Sequence, residues 1–419
     1  MQSRWNDAEA EAFAAEARAA GQPEALGLRV YSSRLIGGDP DLVLHGGGNT
    51  SVKLDGPEGP LMHVKGSGWD LGAIEAAGLP ALRLPALLAA RDIADMTDDA
   101  MVALLRGELV DPAAPNPSVE ALLHAFLPQA FVDHSHATAV LALADQEDMA
   151  ATVRGIYGDR LAFVPYTMPG FALSIEGDRV FRAHPGCEGL WLEKHGLFTF
   201  GATARESYER MIEFVTLAER FLGAAGVVVG PPEASDRPAP AALAEALRAA
   251  LAAQGGLGPD PALDFRSTPS IRAWLALPDI GEVAARGTAT PDHVIRIKPF
   301  PLLLSAEDGA EAIAAKLADF GARYRAYFAR HAPQAAEPKT ILDLAPRAAL
   351  VPGAGVFGVG RSARDAAIAA DLLEQTARIV PAAEAWGRFS PIAEAELFDM
   401  EYWSLEQAKL KPAAPAPQA

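Results

Sequence analysis

The 419-residue sequence lacks several features that would assign it at once to a class of protein. Its single cysteine, Cys187, excludes disulfides within the chain and suits a reducing compartment. It has 36 basic against 54 acidic residues, and the net charge of -18 disfavours a nucleic-acid or anionic-membrane surface. No uncharged run reaches the roughly 18 residues of a membrane helix, and residues 1–20 contain no apolar signal-peptide segment. We therefore expect a cytoplasmic protein with no membrane or nucleic-acid partner.

The length favours two to four domains, each large enough to have its own hydrophobic core. Half of the residues are hydrophobic, although many of these are alanine. The proline-rich stretch around 230–240 is the clearest linker in the chain. We predict a first domain over 1–228, a linker over 229–240, a second domain over 241–390, and a C-terminal segment with a Pro/Ala tail over 391–419.

Two histidines, His134 and His136, follow a short apolar run. In a strand, side chains two residues apart point to the same face, whereas a helix would place them about 200° apart. In a strand the pair could bind one metal ion, although a pair alone is weak evidence. Upstream, Glu120 and His124 lie four residues apart on a predicted helix with Ser118 as its N-cap. The helix dipole explains Glu120 equally well.

Two glycine-bearing loops border a predicted β-hairpin. The first, Gly46–Ser51, leads into a strand over 51–54, and a second strand over 61–65 ends at Gly66–Gly68. Glycine lets backbone N–H groups approach an anion closely, and asparagine and serine add further donors. Either loop could hold a phosphate, and either could be an ordinary turn.

A weak internal repeat links the two halves of the chain. Residues 195–205 resemble residues 354–364 at an offset of 159, and the same offset carries Asp133-His134 onto Asp292-His293. We interpret the shared offset as a degenerate duplication.

The second copy lacks two of the histidines of the first. Ile295 stands in the place of His136, and Ala354 in the place of His195. We therefore assign no chemistry to the second copy. The Gly-x-Gly-x-x-Ala pattern over 358–363 could suggest a nucleotide site, but the repeat explains it better.

The His134-Ser135-His136 pair, with a further histidine downstream, resembles the class II aldolase/adducin family. The resemblance spans about residues 31–222 and rests on five ordered motifs: Gly47–Ser51, Lys65–Gly68, Pro117–Glu120, His134–His136 and His195–Leu197. Through residues 397–407 the chain also resembles the aldolase part of bifunctional rhamnulose-1-phosphate aldolase/lactaldehyde dehydrogenases. The sequence stops at Ala419 in a Pro/Ala tail, so we expect no dehydrogenase domain and no NAD chemistry.

The resemblance implies a fold and an assembly. The first domain would be an α/β/α sandwich with a mostly antiparallel sheet, and the second a degenerate, related α/β domain. Family members often form four-fold rings with active sites at subunit boundaries, so we expect a homo-oligomer. Two chains with two such domains each could mimic one ring.

The resemblance also implies a set of site residues. His134, His136 and His195 would bind zinc, Glu120 would be the acid/base, and Tyr166 is a candidate second acid/base whose alternative role is a packed loop aromatic. The substrate and its phosphate would be held by Asn49, Thr50, Ser51, Lys65, Ser67, Gly68 and Ser118.

One residue departs from the family pattern. Val119 stands where fuculose-phosphate aldolases have a second serine that contacts phosphate. Valine cannot donate a hydrogen bond there, which leaves room for an unphosphorylated substrate, although Lys65 could compensate.

The implied activity is zinc-dependent cleavage of a ketose 1-phosphate, similar to rhamnulose 1-phosphate, to dihydroxyacetone phosphate and an aldehyde through a metal-stabilised enediolate. Three neutral imidazoles leave zinc its full charge and an open coordination position. Epimerases, decarboxylases and dehydratases of sugar phosphates or sugar acids share this metal site within the family. A non-catalytic, adducin-like module is the remaining alternative, which the three histidines and Glu120 disfavour.

Overall fold

The computed structural model describes residues 1–408 and Leu410. Backbone contacts divide these residues into two compact units: Met1–Ala144 with Asp148–Gly226, and Asp145–Glu147 with Val227–Leu410. Residues 391–408 and Leu410 belong to the second unit, whereas the predicted Pro/Ala tail over 411–419 lies outside the described residues. No helix of the described chain is long and apolar enough to cross a membrane.

The first unit combines helices with one large sheet. Its helices are α1 (Asp7–Ala19), α2 (Glu24–Gly37), α3 (Leu84–Ala89), α4 (Asp98–Gly107), α5 (Ala121–Phe126), α6 (Thr138–Ala144), α7 (Ala150–Tyr157), α8 (Phe171–Ala183) and α9 (Ala204–Ala224). Its strands are β1 (Asn49–Gly56), β2 (Gly59–Val64), β3 (Ala81–Arg83), β4 (Phe131–Ser135), β5 (Leu161–Val164), β6 (Gly189–Leu192) and β7 (Gly196–Gly201).

The sheet of the first unit has the order β3-β2-β1-β4-β7-β6-β5. Every neighbouring pair is antiparallel except β5 and β6, which confirms the predicted mostly antiparallel sheet. Leucines of α5 and α8 pack with Val132 of β4 in one core cluster. On the opposite face, Arg29 of α2 and Ser207 of α9 contact Asp133. Strand alternation thus gives the α/β/α layers.

Local sequence explains where two of the helices begin. The side chain of Thr203 accepts a hydrogen bond from the backbone N–H of Glu206 and caps α9. The prediction of Ser118 as the N-cap of α5 is wrong, because this helix begins at Ala121. The Ser118 hydroxyl instead accepts a hydrogen bond from the backbone N–H of Glu120.

The second unit contains a smaller sheet and longer helices. Its helices are α10 (Ala241–Gln254), α11 (Pro269–Leu275), α12 (Ile280–Val283), α13 (Val294–Ile297), α14 (Ala310–His331), α15 (Ala363–Trp386), α16 (Glu394–Glu401) and α17 (Ser404–Ala408). Its strands are β8 (Ala262–Arg266), β9 (Leu302–Leu303), β10 (Ala348–Val351) and β11 (Gly355–Gly360), in the order β8-β11-β10-β9.

A buried polar cluster lies in the second unit beside its apolar core. The hydroxyl of Tyr324 donates to Glu401 at 2.7 Å and lies 2.8 Å from the hydroxyl of Tyr402. The Lys298 ammonium lies 3.8 Å from the same carboxylate. Burial raises the pKa of Glu401 to about 7 and lowers the pKa of Lys298 to about 8. Helix α16 is therefore anchored inside the second unit.

Three consecutive elements of each unit follow the offset of 159 residues. Strands β10 and β11 and helix α15 begin 159 residues after β6, β7 and α9, and Ser362 caps α15 as Thr203 caps α9. The predicted counterpart of Asp133-His134 is wrong, since Asp292-His293 lies in a 3-10 helix and not in a strand. Strand β8 pairs with β11 as β4 pairs with β7. The distance along the chain from β8 to its β-hairpin is 28 residues longer than the distance from β4 to its own.

Candidate metal centre and acid–base site

Three histidines converge at the end of the central strand pair. His134 lies on β4 opposite Phe198 of β7, His136 follows directly after β4, and His195 lies in the turn that leads into β7. All three side chains are at least 95% buried. The antiparallel pairing of β4 and β7 therefore brings His195 beside the other two, which are some sixty positions away in the chain.

The ligand nitrogens of these histidines fit one ion. The Nε2 atoms of His134 and His136 are 3.0 Å apart, and one ligand atom from each of the three residues lies within 4.8 Å of the others. Nitrogens bound to one tetrahedral zinc at its usual bond length lie roughly 3.3 Å from one another. The separation of the His134 and His136 nitrogens is close to this value, and the 4.8 Å limit on the three-residue cluster requires further convergence around an ion.

The hydrogen bond of His134 fixes its tautomer. Its Nδ1 lies 3.1 Å from the carbonyl oxygen of Leu197. Because a carbonyl only accepts, Nδ1 carries the proton, and Nε2 presents its lone pair to the centre of the cluster. A backbone carbonyl behind the ligating histidine is a common device for orienting the ring.

Glycine is required beside two of the ligands. Gly196 has φ +156°, and a Cβ there would lie 2.3 Å from the carbonyl oxygen of Ser135 and 3.2 Å from the ring of His136. Gly48 has φ +59°, and its Cβ would lie 2.5 Å from the carbonyl oxygen of His134. Both glycines allow a backbone approach that a side chain would block.

Glu120 faces the histidines from the N-terminal end of α5. Its side chain is 7% exposed, its Oε2 lies 3.5 Å from Nε2 of His134, and its Oε1 lies 3.9 Å from Nε2 of His195. The side-chain amide of Asn49 donates to Oε2 at 2.6 Å. Oε1 has no hydrogen-bond partner within the described part of the chain. The carboxylate is thus close enough to share a metal or to exchange a proton with a bound molecule.

Two further buried side chains support Asn49. His124 lies with Nε2 against Oδ1 of Asn49 and with Nδ1 2.8 Å from the hydroxyl of Ser51. Burial lowers the pKa of His124 well below its usual value, and the charges of Lys53, His134 and Arg29 lower it further. His124 is therefore a neutral histidine in a buried hydrogen-bond chain.

The predicted phosphate-binding segments lie next to each other. Lys65 is 4% exposed, and its ammonium donates to the carbonyl oxygen of Gly46 at 2.9 Å. The backbone N–H of Ser67 donates to Asn116, and that of Ser118 donates to Lys65. The structure therefore brings both glycine-bearing loops and the segment before α5 together, while the role of Ser67, Gly68 and Ser118 in binding phosphate stays a prediction.

Two other predicted site residues have different surroundings. The hydroxyl of Thr50 lies 2.8 Å from the hydroxyl of Ser33, which is on α2 and thus on the sheet face opposite to Asn49 and Ser51. Tyr166 lies in the loop after β5, where its backbone N–H donates to Glu193 at 3.0 Å. Its proposed acid/base role stays a prediction.

Sequence reasoning missed a buried ion pair at Asp133 on β4, the strand that carries His134. Arg29 and Asp133 are both fully buried and 2.6 Å apart, and the hydroxyl of Ser207 donates to the same carboxylate. Burial raises the pKa of Asp133 and lowers the pKa of Arg29, and the attraction between their charges opposes both shifts. In the sequence, Asp133 lies between apolar residues and a histidine. An acidic residue in a buried strand requires a cationic partner, so this position could have indicated the ion pair.

The geometry agrees with comparisons to known proteins. Residues 29–222 match the family model of the class II aldolase and adducin N-terminal domain, and residues 238–410 match that of the class II aldolase second domain. The chain belongs to the class II aldolase/adducin family. An uncharacterized oxidoreductase of Bacillus subtilis (strain 168), YuxG, is 33% identical over 95% of the chain. The chain spans 60% of the length of that relative.

Two solved structures are similar to the first unit. The N-terminal class II aldolase domain of a conserved Thermoplasma acidophilum protein is 42% identical, over 53% of this chain and 99% of that one, with a TM-score of 0.47. An L-fuculose 1-phosphate aldolase is 19% identical, over 48% of this chain and 87% of that one, with a TM-score of 0.36.

Proposed function

We propose that this protein is a zinc-dependent aldolase that cleaves a ketose 1-phosphate, similar to rhamnulose 1-phosphate, to dihydroxyacetone phosphate and an aldehyde. The observation that carries the proposal is the placement of Glu120 within 4 Å of two members of a buried three-histidine cluster. Three neutral imidazole donors that converge on one point suit zinc.

Each group of residues has a distinct task in this proposal. A divalent metal held by the three histidines would supply a Lewis acid where negative charge develops during carbon–carbon cleavage. Glu120 would take and return a proton through Oε1, because its Oε2 already accepts from Asn49. Lys65 and the loops at Gly46–Asn49 and Gly66–Gly68 would orient the phosphate with an ammonium and backbone N–H groups.

We propose that the second unit supports the catalytic domain structurally and carries out no chemistry. We assign the boundaries 1–228 and 241–390 to a catalytic domain and a degenerate repeat of it. In the repeat, the β-hairpin and following helix are kept, while β8 carries Phe265 at the place of His134. We further propose that the enzyme is cytoplasmic and homo-oligomeric and acts on a small sugar phosphate. The single buried cysteine suits a reducing compartment, and membership of the family supports the substrate class and an oligomer.

A retro-aldol assay tests the proposal. Full-length protein loaded with zinc is incubated with rhamnulose 1-phosphate and with a panel of ketose phosphates and sugar acids, and dihydroxyacetone phosphate is measured with a coupled reductase. We expect release of dihydroxyacetone phosphate that is lost in Glu120→Gln. Epimerised, decarboxylated or dehydrated product without cleavage would assign a different reaction, and no turnover with any substrate by the zinc-loaded protein would favour a non-catalytic module.

A further inference from the structure

The side chains of Ser51, His124, Asn49 and Glu120 form one continuous chain of hydrogen bonds inside the first unit. Its contacts are Ser51 to His124 at 2.8 Å, His124 to the Asn49 oxygen, and the Asn49 nitrogen to Glu120 at 2.6 Å. All four side chains are at least 93% buried, so water does not compete for these groups. Ser51 and Asn49 lie on β1, His124 lies on α5, and Glu120 directly precedes α5.

Chemistry sets the direction of every bond in this chain. An ionised carboxylate only accepts, so Asn49 must turn its NH₂ group towards Glu120 and its oxygen towards His124. His124 must then donate from Nε2. Because a neutral histidine carries only one ring proton, its Nδ1 is an acceptor, and the Ser51 hydroxyl donates to it.

We propose that His124 is a positioning residue that holds the Asn49 amide against Oε2 of Glu120 and thereby leaves Oε1 of Glu120 as the oxygen that exchanges a proton. This inference rests on the acid/base role proposed for Glu120. The two ends of an amide have nearly the same shape, so packing alone does not select one orientation of Asn49. The Glu120 carboxylate favours the orientation that turns the NH₂ group towards it, and the donor that His124 supplies at Oδ1 holds the amide in that orientation and position.

The alternative orientation shows why this matters. If Asn49 turned its oxygen towards Glu120, two acceptors would face each other, and the carboxylate would rotate or move away. A displacement of about 1 Å at a reacting group can cost about 10²-fold in rate. The hydrogen bonds of His124 go to Ser51 and Asn49 and not to the three histidines, so its effect on the reaction passes through Asn49.

Three variants of the full-length protein test the role. His124→Leu removes the hydrogen-bond donor to Asn49 and fills most of the same volume with an apolar side chain. His124→Gln can still donate to Asn49 and accept from Ser51. His63→Leu is the matched control. His63 is a partly buried histidine of the same sheet, and its ring nitrogen Nδ1 forms a hydrogen bond with the carbonyl oxygen of Leu79. If His124→Leu does not fold, His124→Met replaces it, because methionine adapts its shape to irregular cavities.

We expect kcat to fall about 10²-fold in His124→Leu with KM nearly unchanged, to recover largely in His124→Gln, and to stay at the wild-type value in His63→Leu. Bound zinc should be equal in all four proteins. Equal losses in His124→Leu and His124→Gln, or wild-type kcat in His124→Leu, would overturn the proposal.

A crystallographic readout separates this inference from the proposed function. In the His124→Leu crystal structure, the Asn49 amide should no longer lie within hydrogen-bond distance of Oε2 of Glu120, whereas in His124→Gln it should. This result is expected even if the wild-type protein cleaves none of the ketose phosphates. An unchanged Asn49–Glu120 hydrogen bond in His124→Leu would contradict the positioning role directly.

Discussion

The two sheets share a four-stranded core but differ in what surrounds it. The order β4-β7-β6-β5 in the first unit corresponds to β8-β11-β10-β9 in the second, with the same two antiparallel pairs and the same parallel pair. The first sheet continues through β1, β2 and β3, which carry the glycine-bearing loops and Asn49. The second sheet has no such continuation among the described residues.

The shared turn shows which features serve packing and which serve chemistry. Gly355 stands where Gly196 stands, and a Cβ at Gly355 would lie 2.4 Å from the carbonyl oxygen of Arg266. The histidine before this glycine is replaced by Ala354, whose carbonyl accepts from the Ser267 hydroxyl at 2.6 Å. The close backbone approach is therefore kept in both units, whereas the cluster of three histidines occurs in one.

The largest contrast between the units should come from their buried carboxylates. Glu120→Gln keeps the volume of the side chain but cannot take a proton, so we expect kcat to fall by about 10²–10⁴-fold with the metal retained. Glu401→Gln removes a buried carboxylate of the second unit and should change the free energy of unfolding without this loss of kcat. Steady-state kinetics on both variants, with metal analysis, checks the contrast, and equal losses of kcat would contradict it.

The next contrast concerns the acid beside each central strand. Removing Arg29 leaves Asp133 buried without its charge partner, so Arg29→Met should lower the free energy of unfolding by about 3–5 kcal/mol. The corresponding Asp264 is 31% exposed and pairs with Arg266 at 3.3 Å. Arg266 also pairs with Asp371, which is 30% exposed. Arg266→Met should cost about 1 kcal/mol, less than Arg29→Met, because solvent screens the charges of both carboxylates. Urea unfolding measures both values, and a larger loss for Arg266→Met would be the opposite of this expectation.

The glycines of the repeated turn allow a finer comparison. Gly196→Ala and Gly355→Ala both place a Cβ against a strand carbonyl, so each should destabilise the protein by about 1–3 kcal/mol. Only Gly196→Ala should also reduce zinc binding, since its Cβ lies against His136. Isothermal titration with zinc distinguishes the two, and unaltered zinc affinity in Gly196→Ala would show that the ligand cluster tolerates movement of the turn.

The smallest contrast is a difference in pH dependence. Burial and the charge of Arg91 lower the pKa of Lys53 to about 7, and its ammonium donates to the Gln129 carbonyl. A depressed lysine contributes stability that is present above its unfolded pKa near 10.5 and is lost as the pH falls through about 7. Relative to Lys53→Met, the wild type should therefore gain unfolding free energy from pH 7 to 10.5, by at most about 1.4 kcal/mol per pH unit.

Denaturant titrations across that pH range provide the measurement. Lys298 of the second unit, whose pKa is about 8 and whose partner is Glu401, is the comparison. The contribution of Lys298 to the free energy of unfolding should change with pH only in the range from pH 8 to 10.5. Parallel curves for wild type and Lys53→Met would mean that Lys53 is solvated in the folded protein.

Much of the first unit was predictable because its signals are local. Alternating residues and bordering glycine-bearing loops indicated the β-hairpin of β1 and β2. The three histidines could be grouped because ordered motifs resemble those of a family. Local pattern did not reveal the Ser51–His124–Asn49 chain, because these contacts join β1 to α5 across more than seventy residues.

The second unit was harder to predict from the sequence. An ungapped comparison assigned Asp292-His293 to the wrong element. The segment between β8 and the β-hairpin of β10 and β11 is longer than the segment between β4 and the β-hairpin of β6 and β7. Pairing of strands, which depends on contacts distant in sequence, identifies β8 as the counterpart. Burial of Lys298 with Glu401 likewise joins residues about a hundred positions apart.

Metal content in a matched pair of variants tests the central claim most directly. Full-length wild-type protein, His134→Ala and Phe265→Ala are loaded with zinc, desalted and analysed by mass spectrometry of the metal. Our account predicts about one zinc per chain in the wild type and in Phe265→Ala, and close to none in His134→Ala. Zinc bound equally by wild type and His134→Ala, or by neither, would contradict a metal centre formed by His134, His136 and His195.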